Sequence, residues 1–116
     1  MGDRFVPVPD VPTLAAWFAR SHAAPVLLFN HDPGCGGSCR AYGRLRELGG
    51  GHGAIGLIDV RVAREVTAAL ARRTGVRHES PQVLLLRHGL AAWSAAHGAV
   101  TAEAVERVLV DLATGR

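Results

Sequence analysis

The two cysteines, Cys35 and Cys39, are the residues of this chain best suited to chemistry. They fall in one stretch, Pro25-Val-Leu-Leu-Phe-Asn-His-Asp-Pro-Gly-Cys-Gly-Gly-Ser-Cys39. Val26 to Phe29 is an apolar run of strand length, Asp32-Pro33-Gly34 is turn chemistry, and from about Gly36 onward Cys39, Tyr42, Leu45 and Leu48 recur every three residues, as on one side of a helix. Cys35 is therefore predicted at a strand-to-helix turn. Unpaired backbone N–H groups and the positive end of the helix dipole meet there, and both favour thiolate over thiol. A thiolate attacks a disulfide in line and expels the better leaving thiol. This makes Cys35 the candidate nucleophile, against the plainer reading of a small buried hydrophobe.

Cys39 has three readings. In a regular helix residues four apart have Cα atoms about 6 Å apart with separated Cβ atoms, whereas a disulfide wants its Cβ atoms about 3.8 Å apart. A Cys35–Cys39 bond thus needs local unwinding, which Gly36 and Gly37 make easier. The alternatives to this resolving role are a buried structural thiol and a metal ligand, since His31, Cys35 and Cys39 recur every four residues and zinc accepts such ligands. Three ligands leave a tetrahedral shell incomplete, and His31 belongs to the strand end, so no metal site is assigned. No histidine–acid pair is spaced for a Ser or Cys hydrolase.

The elements that would hold this junction follow along the chain. Asp10 caps a first helix with Pro12 early in it, and Leu14, Trp17 and Phe18 share one face. After the first strand and the cysteine helix, Gly49 to Gly53 reads as a loop, with His52 solvated within it. Ala54 to Val60 is a second strand. Val62 to Thr74 is a helix with Val62, Val66, Ala69, Leu70 and Arg73 in helical spacing and Gly75 as its stop. Pro81 to Arg87 and Leu90 to Ser94 form a hairpin about His88-Gly89, and Thr101 caps a last helix with Val105, Val108, Leu109 and Leu112 inward. The order is α-β-α-β-α-β-β-α. Two strands joined through a helix should be parallel and the hairpin antiparallel, which predicts an α/β fold with a four-stranded mixed sheet and helices on both faces.

With 116 residues, 48% of them hydrophobic, the chain is expected to be one domain, 1–116, around one core. The apolar run Val83 to Leu86 is too short to cross a bilayer and the N-terminus lacks a signal-peptide core, so a cytoplasmic location without membrane attachment is expected. All 13 basic residues are arginine, spread among ten acids for a net charge of +3. Without a basic block, nucleic-acid binding is not expected.

The arrangement, with a cysteine after the first strand and a proline opening the third, resembles the thioredoxin superfamily. Within it, Gly75-Val-Arg-His-Glu-Ser-Pro-Gln-Val-Leu-Leu-Leu86 resembles the signature of the monothiol bacilliredoxins, the small thioredoxin-like proteins of the bacillithiol system. Phe29-Asn-His31, Ile58-Asp-Val60, Arg64 and Trp93-Ser-Ala-Ala-His97 support the likeness. The resemblance implies a thiol–disulfide oxidoreductase that binds no cofactor. Its co-substrate would be bacillithiol or another low-molecular-weight thiol, and its partners thiolated client proteins. It implies catalysis at Cys35; Cys39, which departs from the family pattern, is the additional catalytic candidate on its own geometry. Substrate contacts are expected for Ser38 and for His78, Glu79, Ser80 and Pro81, where Ser80-Pro81 resembles a cis-proline step facing the cysteine; the alternatives are an ordinary trans proline and a His78 that hydrogen-bonds only its neighbour. At the site the family's usual Thr-Cys-Pro-Ile-Ser is replaced by Gly34-Cys35-Gly36-Gly37-Ser38 with Cys39 following. The competing function is a redox-inactive or metal-binding thioredoxin-like interaction module.

Overall fold

The structure is a computed structural model and describes residues 4–48 and 53–114. Its elements in chain order are β1 (Phe5–Pro7), α1 (Val11–Arg20), β2 (Val26–His31), α2 (Gly36–Leu45), β3 (Ile55–Asp59), α3 (Arg64–Thr74), β4 (Gln82–Arg87), β5 (Leu90–Ala96) and α4 (Ala102–Ala113). The loop expected over Gly49 to His52 lies outside the described residues.

The sheet is mixed, in the order β1-β3-β2-β4-β5. β3 runs parallel to both β1 and β2, β4 antiparallel to β2, and β5 antiparallel to β4. It therefore has five strands, not four. The extra one, β1, is three residues long and ends in Pro7, and it adds to β3 at the sheet edge, where a proline costs no ladder hydrogen bond.

Side chains alternate across the central strands and divide the core into two layers. Leu28 of β2 and Leu84 and Leu86 of β4 join Leu14, Trp17 and Phe18 of α1 and Val66 and Leu70 of α3 on one face. Leu27 and Phe29 of β2 and Val83 and Leu85 of β4 join Ala41 and Leu45 of α2 and Val105 of α4 on the other. β2 is buried along its whole length, as a central strand covered on both faces must be.

Local chemistry sets the ends. Asp10 Oδ1 accepts from Thr13 N–H at 2.9 Å, and Thr101 Oγ1 accepts from Ala104 N–H at 3.1 Å. His88 and Gly89 both have positive φ, 54° and 77°, the left-handed pair that a two-residue hairpin requires. Gly56 is needed for close approach: a Cβ there would lie 2.5 Å from Leu28 Cδ2 and 3.2 Å from the Trp17 ring. Helix α3 begins at Arg64, so Val62 is in the preceding turn and 78% exposed, correcting its expected place at the start of the helix. The hydrogen bond from Ala63 N–H to Asp59 O closes that turn first.

Candidate active site

The parallel strands β2 and β3 end side by side, with His31 opposite Asp59. From there Asp32 builds the turn that carries Cys35. Its carboxylate accepts from Gly34 N–H at 2.9 Å and its carbonyl from Cys35 N–H at 3.0 Å. Cys35 is the N-cap of α2, with extended backbone (φ −112°, ψ 126°), and its carbonyl accepts the first helical hydrogen bond from Cys39 N–H at 3.0 Å. The sulfur itself makes no capping bond and is exposed. That exposure excludes the buried-hydrophobe reading of Cys35.

Cys39 is also exposed, which overturns its reading as a buried structural thiol. Its thiol donates to Pro33 O at 3.4 Å, so Sγ leans back over the loop that carries Cys35. The residue that α2 turns inward is Ser38, fully buried. Ser38 Oγ accepts from Asp32 N–H at 2.9 Å and lies 2.7 Å from His31 Nδ1. With its hydroxyl proton pointing to Nδ1, Ser38 Oγ both accepts and donates, and the ring proton sits on Nε2. Ser38 therefore pins the first turn of α2 to the end of β2, and its complete burial corrects the substrate contact expected of it.

His31 is buried and stacked between Phe29 (5.1 Å) and Tyr42 (5.2 Å), and Tyr42 stacks in turn on Phe5 of β1 at 4.3 Å. Burial pushes its pKa below the usual histidine value, with Arg61 adding to that and the Asp59 and Asp32 carboxylates opposing it. The ring is thus neutral at neutral pH and engaged with Ser38. It does not join the cysteines in a metal set, and among the described residues no three His, Cys, Asp or Glu are grouped to hold a metal ion. Arg61 closes this side of the site, 3.9 Å from Asp32 and 3.5 Å from Asp59.

The second wall comes from β4. Asn30 pairs with Gln82, which puts Pro81 level with the end of β2, and the Ser80–Pro81 bond is cis. Gln82 is buried and holds the loop before it: Oε1 accepts from Asn30 Nδ2 at 3.0 Å and Glu79 N–H at 3.2 Å, and Nε2 donates to Arg77 O at 2.9 Å. Pro81 O accepts from His97 N–H at 2.9 Å, and His97 Nε2 is 3.1 Å from Glu79 Oε1. Ser80 Oγ is buried without a hydrogen-bond partner among the described residues, whereas His78 is exposed.

Of the residues singled out in sequence, Cys35 and Cys39 share an exposed turn, Ser38 lies beneath it, and His78 to Pro81 form a loop fastened to the neighbouring strand. Sequence reasoning missed the partners of two residues it had singled out, His31 for Ser38 and His97 for Glu79, and it missed the buried Asn30–Gln82 tie. The legible signal was a polar residue at the end of an apolar strand, as at Asn30, His31 and Gln82, where burial demands a partner.

Comparison with known proteins places this geometry. A candidate oxidoreductase of thioredoxin fold superposes with a TM-score of 0.82 at 19% identity, over 89% of this chain and 91% of that one. Oxidised thioredoxin O2 from Arabidopsis thaliana matches with a TM-score of 0.72 at 13% identity, over 97% and 96%. A mutant thioredoxin of Halobacterium salinarum matches with 0.67 at 20% identity, over 92% and 88%. These likenesses show a thioredoxin-like α/β fold. The family model described as monothiol bacilliredoxin BrxC matches residues 8–105. With most of its length in that match, this chain belongs to the monothiol bacilliredoxin family.

Proposed function

We propose that this chain is a thiol–disulfide oxidoreductase that takes a low-molecular-weight thiol, bacillithiol by family, from mixed disulfides on client proteins in the reducing cytoplasm. Family membership supports the thiol redox role. The observation that carries the reading is Cys35, exposed at the N-cap of α2 with its sulfur uncommitted.

In the first step the Cys35 thiolate attacks the small thiol's sulfur in the client disulfide. The client sulfur leaves as thiolate, and a Cys35–small-thiol disulfide remains. In the second step Cys39, deprotonated, attacks Cys35 Sγ, forming an internal disulfide and releasing the small thiol. An external thiol then reduces that bond by the same exchange, or discharges Cys35 directly. Ser38 and His31 hold the helix turn in place beneath the sulfur, and the loop His78 to Pro81 supplies the wall along which a client segment lies.

Among the described residues no helix is long and apolar enough to cross a membrane. The test is incubation of the reduced chain with an oxidised small thiol, followed by intact-mass analysis and peptide mapping. A gain of one small-thiol mass on Cys35 is expected. An unmodified chain would favour the redox-inactive interaction module instead.

A further inference from the structure

Three glycines, Gly34, Gly36 and Gly37, flank Cys35, so the ground around its sulfur is bare backbone. Two guanidinium groups overhang it. A Cβ built on Gly34 would lie 3.6 Å from Arg61 Nη1, and one on Gly36 would lie 3.8 Å from Arg40 Nη1. A Cβ on Gly37 would lie 3.8 Å from Arg40 Nη2 and 3.9 Å from Cys35 Sγ. Arg40 therefore folds back along α2, and its guanidinium and the nucleophilic sulfur border the same hollow over Gly36 and Gly37.

The two cations differ in their partners. Arg61 is answered by Asp32 and Asp59, whereas Arg40 has no ion pair among the described residues. Helix α2 has no acidic residue in its first turn to offset it. Asp32 is the acid nearest in sequence to Cys35, and its carboxylate is taken up by Arg61 and Gly34 N–H.

We infer that Arg40 is a specificity residue of the exchange reaction. It pairs with a carboxylate on the small thiol that Cys35 takes up, so the favoured substrates are disulfides of a carboxylate-bearing, anionic thiol. The inference rests on Cys35 being the exchange nucleophile. A guanidinium presents parallel N–H donors that match a carboxylate, and the bare glycines leave room for the body of a thiol between that fork and the sulfur. Arg40 makes and breaks no bond. Cys35 thiolate plus R–S–S–R gives Cys35–S–S–R and an R–S thiolate, and Arg40 holds the R group that stays.

The experiment measures modification of Cys35 in the Cys39→Ser chain by three symmetric small disulfides: dithiodipropionate (anionic), hydroxyethyl disulfide (neutral) and cystamine (cationic). Each rate is divided by that of free mercaptoethanol with the same disulfide, which removes intrinsic reactivity. At low salt the anionic disulfide should be favoured over cystamine. Arg40→Gln should cut that preference about fivefold, the upper end for an exposed ion pair, and Arg40→Lys should retain part of it. High salt should shrink the preference in the parent and leave the Gln variant unmoved. An unchanged preference in Arg40→Gln overturns the inference, and so does an equal slowing of all three disulfides, which would put Arg40's effect on the Cys35 sulfur itself. If Cys35 reacts with none of the three faster than free mercaptoethanol, the exchange reading fails first and this one with it.

Discussion

Replacing both Gly36 and Gly37 with alanine should separate the two steps of the proposed cycle. The alanines fit: the nearest atoms to their Cβ positions are Arg40 nitrogens at 3.8 Å and Cys35 Sγ at 3.9 Å, ordinary contacts. Closing a Cys35–Cys39 disulfide requires the first turn of α2 to loosen and to stretch the 3.0 Å hydrogen bond from Cys39 N–H to Cys35 O. Glycine to alanine favours the helical state by about 0.8–1 kcal/mol at an interior position, and less at first-turn positions such as Gly36 and Gly37, so the pair adds about 1 kcal/mol to the cost of opening. The ratio of internal disulfide to Cys35 mixed disulfide should then fall by about fivefold. The assay is acid quenching after oxidation with a small disulfide, and intact-mass measurement of the two species. A higher melting temperature of the reduced variant would confirm that the helix has been stiffened. If the stiffened variant forms the internal disulfide as readily as the parent, the glycines do not exist for Cys39's reach, and access of a bulky thiol to the backbone becomes their purpose.

Cys35→Ser should abolish exchange, while Cys39→Ser should still form the mixed disulfide and alter only its release; faster alkylation of Cys39 than of Cys35 at neutral pH would reverse these roles. His31 has a pKa depressed by burial, so the unfolded chain binds its proton more readily than the folded one. Its contribution to stability is complete above the unfolded value of about 6.5 and is lost as pH falls below that toward the folded value. The denaturation midpoint should therefore drop on acidification, and the drop should be smaller in His31→Gln; an unchanged slope in that variant would show that other groups set it. Gly56→Ala forces a Cβ within 2.5 Å of Leu28 and against Trp17, and should destabilise the chain by about 1–3 kcal/mol in urea titration. A loss below about 0.5 kcal/mol would mean that α1 can lift from β3 without cost.

The sequence by itself determined the elements with strong periodicity and the place of Cys35 at a strand-to-helix turn. Leu14, Trp17 and Phe18 all lie in the core, Asp10 and Thr101 cap their helices, and His88-Gly89 turns the hairpin, because each signal is local and carried by a few neighbouring residues. Cys35 at the start of α2 follows from the same local logic. Edge strand β1 was not legible, since three residues ending in proline carry no period and become a strand only when β3 offers its edge. The tertiary structure alone decided the fates of Ser38, Cys39 and His31. Helical spacing says that positions 38 and 39 face different ways, but not which of them meets the sheet. Packing of Ala41 and Leu45 against β2 fixed that rotation, turning Ser38 onto His31 and leaving Cys39 in solvent. The ties of Gln82 to Asn30 and of Glu79 to His97 depend on strand register, which brings residues 52 and 18 positions apart to hydrogen-bonding distance. No spacing rule along the chain encodes them, because they come from the pairing of strands.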